Sequence, residues 1–225
     1  MGGSNPVVLV GLLTAVSLVI TIFKWHDAPQ KIPIWWDLHA HPWLWVPRWF
    51  GMFFLPVLTF LVPYALYMSV VNNIESHGHE SKHSIFHLVT LPAIFLFVTQ
   101  TFVMLPAAVN DLHTFPARTF VANIALWLLI WFGYNIKHVE PNMVIGIINP
   151  WTTNSSWDNL HSQAGTVFEV CGVILFILAF FLPVGWPLTI GLIFLWLGPW
   201  LVSYGLAYTS AEATENADRS PLITA

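Results

Sequence analysis

The sequence predicts an all-α integral membrane protein, a bundle of about six transmembrane helices. Three observations predict it. Of 225 residues, 56% are hydrophobic and only 8% are charged, whereas a soluble domain carries about 25% charged residues. The apolar residues gather into six stretches, each near the ~20 residues that a helix needs to cross a bilayer. The alternating pattern of a membrane barrel is absent, and helices pair every backbone group internally. This composition excludes an ordinary cytosolic enzyme and a disordered chain. With 7 Lys and Arg and a net charge of -4, a nucleic-acid partner has no electrostatic support. The single cysteine, Cys171, excludes an internal disulfide and a CxxC site.

The spans run over residues 6–23, 50–71, 86–109, 119–136, 166–182 and 186–208. The first lacks a basic start and a small-residue cleavage site, so it is read as a retained helix and not a signal peptide. Met1-Gly2 begins like a myristoylation signal, but Pro6 stands where Ser or Thr is required. Pro56, Pro63, Pro92 and Pro106 lie inside spans and are expected to kink them. Pro183 and Pro187 bracket a tight turn that makes the last two spans antiparallel neighbours. Residues 1–85 form a first helical hairpin with a Trp-rich interfacial loop. Residues 86–208 form a four-helix region, and 209–225 a flexible polar tail. Basic residues divide almost evenly between the two sides, so orientation stays open.

The loop between the first two spans is too polar and proline-broken to cross a membrane and too aromatic to float in water. It is expected to lie against the headgroups, where Trp rings collect, or to form a recognition surface. The second loop carries His79, His83 and His87 at i, i+4 and i+8. Two such histidines can share a metal. One helix cannot bring all three to a single ion, since the outer two stand about 12 Å apart along its axis. They are weak metal candidates beside the reading as a solvated polar loop. In the fourth loop Gly146 and Asn149-Pro150 mark tight backbone, and Ser155-Ser156 is a candidate cap for the next helix. His161, Gly165 and Glu169 share one helical face. A carboxylate at that depth wants a partner, for which His161 and Lys137 are the candidates, or else it sits among the headgroups. Asp111 and Arg118 flank the short third turn and are a candidate pair.

Lys31-Ile32-Pro33-Ile34-Trp35-Trp36-Asp37, followed by Trp43, Arg48 and Leu55-Pro56, resembles a short bacterial membrane domain of unknown function. That domain reads IPxHWxxxG and commonly begins proteins of the SdpI family. A second stretch resembles that family's NxxxGIRTPWT signature with its following Trp, THR and Gly. Asn142, Gly146, Ile147, Pro150, Trp151, Thr152, Trp157, His161 and Gly165 carry it. Trp35 stands where the domain has His, and Ile148 and Ser162 stand where the family has Arg. The resemblance implies a role in toxin immunity and membrane sequestration of a repressor.

No Ser/His/Asp set, HExxH, phosphate loop or paired catalytic carboxylates is present in the sequence. The leading expectation is therefore a non-catalytic SdpI-like protein that binds a protein or peptide partner. Its expected recognition residues are Pro33, Trp35, Trp36, Asp37, Asn142, Gly146, Pro150, Trp151, Trp157, His161 and Glu169. Contacts with membrane lipids and other membrane proteins are expected. No cofactor is expected, although haem, a pigment or a metal stays open. The alternatives are an accessory subunit of a larger membrane complex and a transporter or membrane enzyme using Glu169, His161 and the second-loop histidines.

Overall fold

The computed structural model describes residues 6–37, 39, 41–77, 82–109, 115–139 and 154–219. Six helical stretches among them are long and apolar enough to cross a membrane: Pro6–Phe23, Arg48–Val71, Val89–Val109, Ala117–Ile136, Trp157–Phe181 and Trp186–Thr209. The protein is an all-α membrane bundle with one small addition. Helix α1 (Pro6–Phe23) leads into strands β1 (Lys31–Trp36) and β2 (Pro42–Pro47). Helix α2 (Arg48–His77) follows. The third span is α3 (Lys82–Thr99), a π-helical stretch Gln100–Met104 and α4 (Leu105–Val109). The fourth is α5 (Ala117–Asn123), a π-helical stretch Ile124–Trp131 and α6 (Phe132–Ile136). Helices α7 (Asn154–Phe181) and α8 (Trp186–Arg219) complete the chain.

The in-span prolines sit inside helices, and at Pro56 and Pro106 the broken ladder is accommodated in different ways. Pro56 has no N–H for the carbonyl of Met52, one turn earlier. The buried side chain of Gln100 supplies the missing donor, its Nε2 lying 3.1 Å from that oxygen. It also donates to Thr21 Oγ1 at 3.3 Å, which ties the first three spans together. Pro106 follows the wide turn of Gln100–Met104. Such a turn relieves the clash of a proline ring with the carbonyl four residues back.

The fourth and fifth spans pack most closely, through small residues that let backbones approach. A Cβ on Gly133 would stand 2.7 Å from the carbonyl oxygen of Gly165, and one on Gly172 would stand 2.8 Å from Leu129 Cβ. Phe168, Leu129, Leu175 and Ala164 fill the core between them. Gly185, with φ of 116°, makes the turn between α7 and α8, a backbone shape that costs other residues a steric clash. Arg118 Nη1 donates to the Phe180 carbonyl at 2.7 Å and caps the end of α7. The other half of the expected pair, Asp111, lies outside the described residues.

The structure differs from the sequence reading at three places. The first loop is a β-hairpin, whose strand signal its prolines obscure. Helix α7 begins at Asn154, so Ser155 and Ser156 are already helical and do not stand ahead of it. Helix α8 continues through Arg219, into the stretch expected as a flexible tail. The composition there, Ala-Glu-Ala-Thr-Glu-Asn-Ala-Asp-Arg, is rich in good helix formers.

Candidate binding site

The hairpin is held to the bundle at its base. Ile32 is buried among Ala28, Met52, Leu105 and Ala108. Arg48, the first residue of α2, gathers the loop that precedes the strands. Its Nη1 donates to the carbonyls of Trp25 at 3.2 Å and Ala28 at 3.0 Å. Its guanidinium lies 4.4 Å from the centroid of the Trp25 ring, a cation–π contact. The Arg48 backbone N–H donates to the Gln30 carbonyl.

The strands pair antiparallel from Lys31 opposite Pro47 to Trp36 opposite Pro42, with register shifts on either side of Trp35. Pro33, Pro42 and Pro47 cannot donate to the ladder, which confines it to a short ribbon. Asp37 closes the turn. Its Oδ1 accepts the backbone N–H groups of His39 at 2.8 Å and His41 at 2.9 Å, and its own N–H donates to the His41 carbonyl. These bonds, the His41 N–H first, outweigh some desolvation and hold the carboxyl below its usual 3.8. Asp37 is therefore an anion at neutral pH.

Under the hairpin lies a cavity of about 350 Å³, within the ordinary range of ligand pockets. Trp35, Trp36 and Asp37 form its hairpin side. Val103 and Met104 of the third span, Phe115 and Phe120 at the start of the fourth, and Leu188 and Leu192 of α8 form much of the rest. Trp36 stacks on Phe115 with ring centroids 4.5 Å apart, which makes one wall rigid. The Trp36 indole N–H is buried and has no acceptor among the described residues.

The second group of expected residues lies elsewhere. Three membrane crossings separate the hairpin from the stretch around Trp157, so the two stand at opposite ends of the bundle. Trp157 packs with Val70, Val89 and Val139 and donates its indole N–H to the Val139 carbonyl at 2.6 Å. Its ring stacks on His161 at 3.9 Å between centroids. His161 is fully buried, with Nδ1 2.9 Å from the Trp157 carbonyl. A carbonyl can only accept, so the imidazole proton sits on Nδ1. Glu169 pairs with Lys137 at 2.6 Å, not with His161. Gly165 lies between them against Gly133. The described members of the expected recognition set thus fall at two separate places, and in the second Trp157, His161 and Glu169 are engaged by neighbours within the bundle.

Asn142, Gly146, Pro150, Trp151 and His79 lie outside the described residues, and so does the side chain of His83. His87 stands edge-on to Trp131 at 5.8 Å between centroids. Among the described residues no group of three or more His, Cys, Asp or Glu is arranged to hold a metal ion. Sequence reasoning missed Phe115 and Leu188 as cavity walls, because residues at the ends of different spans carry no local signal of a shared pocket.

Residues 12–60 match a domain of unknown function, DUF1648. This DUF1648 region runs from α1 through the hairpin into α2, and holds Arg48, Pro33 and the Trp35–Asp37 edge of the cavity. The motif around Trp157 and His161 lies beyond it. No curated protein and no solved structure matches the chain.

Proposed function

We propose that the chain is a non-catalytic, SdpI-like multi-pass membrane protein that binds a protein or peptide partner in an immunity or signalling role. The observation that carries this reading is the hairpin of the DUF1648 region. It presents Trp35 and Trp43 at 60% and 75% exposure, with Trp49 at 63% following on the first turn of α2, on a frame fixed by Arg48 and Ile32. Rigid, exposed aromatics are the side chains that dominate binding hot spots.

The test is a photo-crosslinking residue at position 43 in the full chain, activated in native membranes. One polypeptide of defined mass, lost when Trp45 and Trp49 are changed to Ser, is the expected product. Adducts with lipid alone would reduce the hairpin to an interfacial belt and reject the reading. A fixed multi-chain assembly recovered on gentle extraction would favour an accessory subunit instead.

A further inference from the structure

The cavity beneath the hairpin carries an inference of its own, independent of any partner on the outer hairpin face. Its interior is apolar, built from Trp36, Phe115, Val103 and Leu188. The hydroxyls of Thr99 and Thr189, also in its lining, are engaged by Asn123 and by the Gly185 carbonyl. Asp37, on the hairpin side, brings a carboxylate to its border. Asp37 Oδ1 is occupied by the turn, while Oδ2 lies 3.4 Å from the ring of His41, in a side chain 45% exposed. An occupant that complements the apolar wall and the carboxylate has an apolar chain and a cation, in one molecule that reaches a membrane cavity.

We propose that this cavity holds one acyl chain of a phospholipid whose head group carries an ammonium, with the ammonium at Asp37. The chain replaces lipid contacts with a shaped aromatic and aliphatic wall. The ammonium meets a carboxylate that is already ionised.

The test uses the full-length protein in nanodiscs of phosphatidylethanolamine and phosphatidylglycerol in equal amounts with matched chains. Gentle detergent release and native mass spectrometry then count the retained lipids. The wild type is expected to keep one phosphatidylethanolamine, with a preference of about tenfold over phosphatidylglycerol from one charge-assisted hydrogen bond. Asp37→Asn keeps an amide oxygen for the turn and removes the charge, so the preference should vanish while the protein stays folded. Ala117→Phe fills the cavity from the start of α5 and should abolish retention of both lipids. Equal retention of the two lipids by the wild type would overturn the proposal. So would an undiminished preference in Asp37→Asn or unchanged retention in Ala117→Phe. None of these outcomes bears on a polypeptide crosslinked at position 43, so the two readings fail separately.

Discussion

Gln100 donates its side-chain amide to the carbonyl of Met52 at 3.1 Å, the oxygen that Pro56 leaves without a helix partner. A proline in one span and an amide in another are thus a single structural unit. Gln100→Leu should lower stability by about 1 kcal/mol, because a buried acceptor loses its donor. Pro56→Ala restores the backbone N–H. In the Gln100→Leu background it should recover most of that loss, more than it gains in the wild type. Thermal unfolding of the four proteins in one detergent measures the coupling, and purely additive effects would refute it.

The Lys137–Glu169 pair joins the fourth and fifth spans at 2.6 Å with about a quarter of each side chain exposed. Glu169→Gln strands the ammonium of Lys137 beside the tight Gly133–Gly165 crossing. We expect a loss of ~1–3 kcal/mol, the penalty for an unpaired buried charge reduced for partial exposure. Lys137→Met together with Glu169→Gln should regain most of it. A double variant as unstable as the single one would show that the pair itself holds the helices.

Two glycines should respond oppositely to the same change. A Cβ on Gly165 would stand 2.5 Å from the carbonyl oxygen of Gly133, so Gly165→Ala must push the fourth and fifth spans away from each other. A loss of ~1–3 kcal/mol is expected from overpacking. A Cβ on Gly205 meets nothing within 4 Å. Gly205→Ala should be neutral or stabilising by up to about 1 kcal/mol, through helix propensity. Paired melting curves decide, and equal shifts would contradict the close crossing.

The turn at Asp37 should be acid-sensitive. Its folded pKa lies below 3.8, so the charged form is favoured in the folded turn. That contribution is fully present above the unfolded value and is lost as pH falls through the folded one. Amide exchange at His39 and His41 should therefore stay slow from neutral pH to about 4 and, after correction for intrinsic rates, quicken below it. Asp37→Asn should flatten the acid dependence. An unchanged acid profile in that variant would assign the effect to another group.

Much of the fold is legible in composition and span length. Six apolar stretches in the sequence correspond to six membrane-length helices, and helix ends move into polar sequence at Asn154, ahead of the fifth apolar stretch, and beyond Tyr208, where the sequence is rich in helix formers. The hairpin is not legible in the same way. Prolines at 33, 42 and 47 argue against strands locally, and pairing with a partner strand plus the burial of Ile32 overrides that.

The sequence by itself determined that the chain crosses a membrane as a helical bundle, because solvent preference is a property of each stretch and needs no neighbour. It also marked Trp35, Trp36 and Asp37 as a group, since they are adjacent in the chain. Only the tertiary structure decided which distant residues meet. It placed the hairpin and the His161–Glu169 stretch toward opposite ends of the bundle, gave Glu169 to Lys137, and formed an open cavity between Trp36, Phe115 and Leu188. Those outcomes depend on helix order and close backbone approach at Gly133 and Gly165, which are relations between segments and leave no mark in any one of them.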